Sequence, residues 1–200
     1  AFTIASVSIF VLTLLFSLPL GLLVAFARMS KIKPLQWITK FYISIMRGTP
    51  LMLQLLVVYF GPYYVFRQNI STEYRFYATI IGFSINYAAY FAEIYRSGIQ
   101  SIPKGQLEGA MSLGFSKWES MVRIIIPQAI RNILPVIGNE FVTLIKESSQ
   151  VSVIGMADLM YTATTIQGIS FQPFPPLVIV AIYYFTMTFF VSMCLRVLER

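Results

Sequence analysis

Residues 103–127 read PKGQLEGAMSLGFSKWESMVRIIIP, a charged, glycine-punctuated stretch set between long apolar runs. Pro103-Lys104-Gly105 opens it, a helical stretch follows, Gly114 interrupts, a second helical stretch follows, and Pro127 closes it. Glycine at 114 permits a left-handed turn, so the pattern predicts a helix–turn–helix pair. Glu108 can satisfy free backbone amides near a helix start or meet a basic partner. Gly109 and Ala110 leave room for close approach. The second helix is expected to expose Phe115, Trp118 and Met121 among Lys117, Glu119 and Arg123. An apolar knob with a charged rim suits insertion into a groove on another protein. The plainer alternative is a helix lying on the lipid interface, where Trp and Lys are common.

Outward from this stretch the chain turns apolar. Of its 200 residues, 57% are hydrophobic and 12% charged, against about 25% charged in an average soluble domain. Mean hydropathy is +0.72. Several apolar runs approach or exceed the roughly 20 residues that a helix needs to cross a bilayer. A membrane-spanning helix satisfies its own backbone hydrogen bonds, and the short alternating strands of a membrane barrel are absent from the sequence. The fold class is therefore an all-α integral membrane protein of one domain, residues 1–200. Five transmembrane helices are expected, at about Phe2–Ala27, Pro50–Phe66, Tyr74–Ser97, Ile130–Ile145 and Pro176–Leu198. Pro19 and Gly21 offer a kink in the first, which reads as a true span rather than a signal peptide.

Positive charge sets the orientation. Arg28, Lys31, Lys33, Lys40 and Arg47 follow the first span. Lys104, Lys117 and Arg123, flanked by Arg96 and Arg131, lie between the third and fourth, and Arg196 and Arg200 end the chain. Only Arg67, Arg75 and Lys146 fall on the other side. The N-terminus is thus expected outside and the C-terminus inside, with a structured cytoplasmic loop over about 98–130. Outside, residues 147–176 hold Gly155, a short helix from about Ala157 to Gln167, and the prolines Pro173, Pro175 and Pro176. The net charge of +7 follows from this topology and needs no nucleic-acid partner. The chain has no His, which removes the commonest proton relay and metal ligand. Its single Cys, Cys194, lies in an apolar run as a small packing residue.

Glu108-Gly109-Ala110, three residues, Gly114, nine residues, then Ile124-Ile125-Ile126-Pro127 resembles the cytoplasmic EAA loop of importer-type ABC transporter permeases. Gly109 stands for the first Ala of that pattern and Ile126 for its Leu. Arg47-Gly48-Thr49-Pro50, Asn86-Tyr87-Ala88-Ala89-Tyr90, Ala92 to Gly98, and Lys146 to Ser149 with Val153-Ile154-Gly155 are similar to polar amino acid permeases of the arginine, histidine and glutamine type. The resemblance implies the type I importer fold in a bacterial cytoplasmic membrane. It implies a second permease subunit (an identical copy or a different one), two cytoplasmic ATP-binding subunits and an extracytoplasmic substrate-binding protein. No G-x-x-x-x-G-K-[ST] phosphate loop occurs in the sequence. ATP and Mg are expected in the partner ATPase, and no cofactor, metal or catalytic residue in this chain. Power would arrive at Glu108, Gly109, Ala110, Gly114, Phe115, Trp118 and Pro127.

Ionisable groups within spans are rare and merit a functional hypothesis. Glu93 and Arg96, three apart, can pair on one helix face and fix the span. Asn86, Tyr90, Glu93 and Ser97 share a face that either lines the pathway or joins helices by hydrogen bonds. Glu140, Thr143 and Glu147 share a stripe, and Asp158 follows Gly155. These three carboxylates against Lys146 give the outer half a negative bias that favours a basic amino acid. Alternatively Lys146 or a partner subunit holds Glu140 and Glu147, and Asp158 caps the short helix. Gln54 and Tyr87 are further substrate candidates, or packing groups with satisfied polar ends. Glutamine, or another neutral polar amino acid, is the second substrate reading. A stand-alone channel or carrier predicts more buried ionisable groups or an internal repeat. An intramembrane enzyme needs a nucleophile–base pair or metal ligands, and the sequence carries neither pattern.

Overall fold

The computed structural model describes residues 2–67, 69 and 71–198; Arg200, counted above among the inner charges, lies outside them. Helix α1 spans Phe2–Met29, α2 Lys33–Gly48, α3 Leu51–Phe66 and α4 Tyr74–Gln100. Two short helices follow, α5 at Lys104–Ser112 and α6 at Lys117–Ser120, then a π-helical turn at Met121–Ile125. Helix α7 spans Ile126–Glu147 and runs into a 3₁₀ segment at Ser148–Ile154; α8 spans Leu159–Ser170 and α9 Phe174–Leu198.

The centre of the bundle is α4, not the most apolar helix. Buried residues recur along it from Ala78 to Gly98, whereas Pro176 is the one buried residue among the described side chains of α9. In lipid, apolar surface has no reason to hide, and helices meet through small and polar residues instead. The contact of α1 with α4 shows this. Ser6, Ile9, Thr13, Ser17 and Ala25 are all buried at helical spacing on the face of α1 that meets α4. Gly21 completes the stripe: a Cβ there would lie 2.8 Å from Phe91 Cβ and 3.1 Å from the Ala88 carbonyl. Helix α1 continues past Pro19 without a break, and Gly21 provides the close approach to α4.

A helix occupies each of the five expected positions, but they are unlike. By length and apolarity, Ile4–Met29, Lys117–Ile154 and Phe174–Val197 can each cross a membrane, and α2 with α3 makes a fourth candidate bent by 109°. By length and apolarity, then, three or four of the five expected spans qualify among the described residues. Helix α3 alone, with 16 residues, rises about 24 Å. Helix α4 is long enough but carries Arg75, Asn86, Glu93 and Arg96, because protein rather than lipid surrounds it. Helix α2 was not anticipated within the basic segment. Its Thr39 and Ile43 are buried, and Ile43 joins Ala25, Ala89 and Ala92 in a small second core.

At the opposite end of α4, Arg75 donates from Nε to the Tyr59 hydroxyl and from Nη1 to the Gly155 carbonyl, both at 3.1 Å. Gly155 takes a positive φ of 71°, ending the 3₁₀ segment so that Asp158 can start α8.

Candidate functional site: an interior polar cluster and an outward loop

Where α4 faces α7, Tyr87 donates its hydroxyl to Glu147 Oε2 at 2.8 Å. Tyr87 is only 1% exposed, so its ring is packing and its hydroxyl is the polar end that needs a partner. Tyr90 lies beside it, ring centroids 6.0 Å apart, and the Arg47 guanidinium sits 5.3 Å from the Tyr90 ring centre. Glu140 lies seven residues before Glu147 on α7, within electrostatic reach of both Glu147 and Arg47. Neither carboxylate forms an ion pair among the described residues, and Lys146 is exposed and pairs with neither. Two carboxylates, two tyrosines and one guanidinium thus converge from three helices.

Other candidates are taken up by the fold. Gln54 donates from Nε2 to the Met46 carbonyl at 2.9 Å and to Thr49 Oγ1 at 2.8 Å. Its Oε1 accepts from Asn86 Nδ2 at 2.8 Å. Asn86 also reaches the Met46 carbonyl at 3.2 Å. Gln54 and Asn86 therefore brace the bend between α2 and α3 against α4. Glu93 accepts from Arg96 Nη2 at 2.6 Å, the pair expected from sequence, and Arg28 of α1 approaches it at 3.8 Å. Ser97 is exposed and donates to the Ile94 carbonyl at 3.0 Å. The polar stripe of α4 is thus divided: Asn86 and Glu93 fasten neighbouring helices, while Tyr87 and Tyr90 face the cluster.

Asp158 is fully buried. Its Oδ1 accepts from the Tyr161 amide at 2.8 Å and its Oδ2 from the Tyr184 hydroxyl at 3.3 Å. It caps α8 and ties it to α9, the capping role given above as the alternative to a substrate contact.

Residues 103–127 fold as the predicted helix–turn–helix. Gly114 has φ +90°, a conformation that costs an L-residue strain. Ser116 then starts α6 with a capping box: its Oγ accepts from the Glu119 amide at 3.2 Å. In return its amide and its hydroxyl donate to Glu119 Oε2 at 3.0 and 2.7 Å. Those two hydrogen bonds hold the Glu119 carboxyl below the usual carboxylate range, the hydroxyl contributing most. Pro127 is the second residue of α7. Lacking an N–H, and with its ring crowding the carbonyl four residues back, it accounts for the wide π-helical turn that precedes it.

The surface differs from expectation in its parts. Phe115 and Met121 are half-buried; the outward apolar groups are Leu113 at 80%, Trp118 at 74% and Met111 at 50% exposure. Glu108 is exposed in the middle of α5, not at a helix start. Ala110 is buried at 4%, whereas a Cβ added at Gly109 would meet nothing within 4 Å, so within this chain Gly109 serves no close approach.

Sequence reasoning passed over Arg28 and Arg47 as partners in the interior. The signal was present: Thr39, Tyr42, Ile43 and Met46 recur at helical spacing, which places Arg47 at the end of an amphipathic helix.

Comparison with known proteins matches residues 17–200 to the family of inner membrane components of binding-protein-dependent transport systems. The chain is 37% identical over 195 residues to the arginine transport system permease protein of Bacillus subtilis, covering 98% of this chain and 88% of that protein. It is 36% identical over 198 residues to a putative glutamine transport system permease protein of Rickettsia felis, covering 99% and 89%. The crystal structure of an amino acid ABC transporter with histidines superposes with a TM-score of 0.91 at 44% identity, over 98% of this chain and 90% of that one. The chain belongs to the family of binding-protein-dependent transport system inner membrane components and has the type I ABC importer permease fold.

Proposed function

We propose that the chain is the permease subunit of an ATP-driven amino acid importer and that its cargo is a basic amino acid. The observation that carries the cargo is the unpaired couple Glu140 and Glu147, held beside Tyr87 and Arg47. A basic amino acid brings two cationic groups and one carboxylate. Two glutamates and one arginine are the complementary set, and away from bulk water such a match acts strongly. Tyr87 orients Glu147. The relative named for arginine supports this reading. The relative named for glutamine supports a second one, in which the α-amino and α-carboxylate groups alone are recognised.

Energy comes from outside the chain. Two cytoplasmic subunits that bind ATP and Mg dock on the loop at Met111, Leu113 and Trp118, and their closure moves α5 and α6. A second permease subunit, an identical copy in the simplest assembly, completes the pathway. The two halves rock between inward- and outward-open packings, and an external binding protein delivers the amino acid. The setting is the bacterial cytoplasmic membrane, crossed five times by α1, α3, α4, α7 and α9, N-terminus outside.

Proteoliposomes holding the permease, its ATPase and its binding protein test the cargo directly. Labelled arginine enters with ATP inside, lysine and histidine compete, and glutamate does not. Glu140→Gln with Glu147→Gln lowers arginine uptake by about tenfold or more, the effect of losing roughly 1.4 kcal/mol. Faster uptake of glutamine than of arginine, unchanged in the double variant, would overturn the basic cargo.

A further inference from the structure

Helix α2 presents three faces. One packs inward through Thr39 and Ile43, with Tyr42 and Met46 at its border, and the Tyr42 hydroxyl donates to the Ile85 carbonyl of α4. The second face is apolar and uncovered: Trp37, Ile38, Phe41 and Ile45 are 76%, 63%, 62% and 40% exposed. At 3.6 residues per turn these four fall in a single arc. The third is a narrow polar edge beside that arc, made of exposed Lys33, Lys40 and Ser44. Helix α2 meets α3 at 109° and packs on Ala89 and Ala92 of α4, next to Glu93 and Arg96 where α4 turns polar. It therefore lies across the bundle at the level where the apolar interior ends. A helix so placed, with an apolar arc flanked by a basic edge, matches the boundary between acyl chains and headgroups.

Charge selects the headgroup. No Asp or Glu occurs from Ala1 to Thr72. Glu93, the acid nearest this helix along α4, is engaged by Arg28 and Arg96. Lys33 and Lys40 form no ion pair among the described residues. Lys40 also lines a groove of about 230 Å³ with Trp37, Phe41 and Ser44, so an ammonium, a hydroxyl and two aromatic walls share one concavity. We propose that this groove holds the phosphate of an anionic phospholipid, which accepts from Lys40 Nζ and Ser44 Oγ while the first acyl carbons lie over Trp37 and Phe41. Lys33, about two turns earlier on the same edge, adds attraction to the anionic surface. A second copy of the chain suits this face poorly, because a two-fold contact sets Lys40 against Lys40.

The chain contains two tryptophans, so Trp118→Tyr leaves Trp37 as the sole tryptophan reporter in the full-length permease. This variant is reconstituted in phosphatidylcholine vesicles containing either brominated phosphatidylglycerol or brominated phosphatidylcholine. Bromine quenches tryptophan on contact. Brominated phosphatidylglycerol is expected to quench Trp37 at a lower mole fraction than brominated phosphatidylcholine. Lys33→Gln with Lys40→Gln is expected to remove most of that preference, about fivefold per lysine. Quenching by brominated phosphatidylcholine stays, which shows that α2 is still seated. Equal quenching by both lipids in the parent would overturn the proposal, since the groove would then read no headgroup. Quenching by neither would overturn it too, by showing that a protein surface, a second copy or another subunit, covers Trp37.

Discussion

In the interior around α4, polar side chains are held from far along the chain; in residues 103–127 they are held by near neighbours. Asn86 finds Gln54 at 32 residues' distance and Tyr87 finds Glu147 at 60. In the loop, Ser112 returns to the Glu108 carbonyl, Ser116 to Glu119 and Ser120 to the Ser116 carbonyl, each across three or four residues. The loop thus needs little from the rest of the chain to keep its shape, and it leaves Leu113 and Trp118 outside. The interior has the opposite economy: its polar contacts exist only while the helices stay packed. A surface meant for another subunit is best built locally, whereas a polar cluster inside the bilayer can move with the helices that carry it.

The largest expected effect strikes the interior. Gly21→Val places a branched side chain where even a Cβ meets Phe91 Cβ at 2.8 Å and the Ala88 carbonyl at 3.1 Å. Helices α1 and α4 must part, at a cost of about 1–3 kcal/mol, read as a lower midpoint in detergent–denaturant unfolding. Gly109→Ala in the loop is the control: nothing lies within 4 Å of the new Cβ, and the gain in helix propensity leaves stability equal or higher by up to about 1 kcal/mol. A similar loss from both would break the contrast between the regions.

Gly114→Val comes next. It has open space but a φ of +90° that a β-branched residue resists, costing about 1–2 kcal/mol. The loop relieves that strain by turning α6 relative to α5. The subunit still inserts, and substrate no longer stimulates the ATPase in proteoliposomes. Normal coupling would show that the angle between α5 and α6 is not what the ATPase reads. Asn86→Ala is smaller. It strips Gln54 Oε1 of its donor, and interhelical hydrogen bonds in membranes contribute about 0.6 kcal/mol and seldom above roughly 1.7. The same unfolding assay measures it, with Gln54→Ala in the Asn86→Ala background adding little more.

The same contrast governs what the sequence made legible. Gly114, Ser116, Glu119 and Pro127 act on neighbours within a turn or two, so their spacing alone predicted the helix–turn–helix. Its outer surface was misread, because whether Phe115 or Leu113 turns outward depends on where α5 sits against the bundle. In the interior, Glu93 with Arg96 was legible as a local pair, but Arg28 was not, since it arrives from another helix. Asp158 showed both sides. A cap reads from its place before a helix, yet only the Tyr184 contact from α9 shows that its second oxygen is taken. Helix α4 was legible as a helix at Tyr74–Ser97 but not as the centre of the bundle, because its surroundings are protein and composition reports on solvent.

The smallest effect separates the regions by pH. Ser116 donates twice to Glu119, and those bonds hold the Glu119 carboxyl below the usual carboxylate range. A carboxyl depressed in the folded state stabilises that state fully above its unfolded value and loses the contribution as pH falls through its folded value. The start of α6 should therefore stay ordered from neutral pH down through the ordinary carboxylate range and fray only below it. Amide hydrogen exchange over Ser116–Ser120 reads this, and Glu119→Gln, which keeps an acceptor but cannot titrate, should flatten the dependence. Because Trp118 rides on this turn, substrate-stimulated ATPase should weaken in the same acid window. Protection across Asn86 and Tyr87 should not change with it, since those amides sit in a helix held by packing. Fraying of both regions together at one pH would mean that the loop borrows its order from the bundle after all.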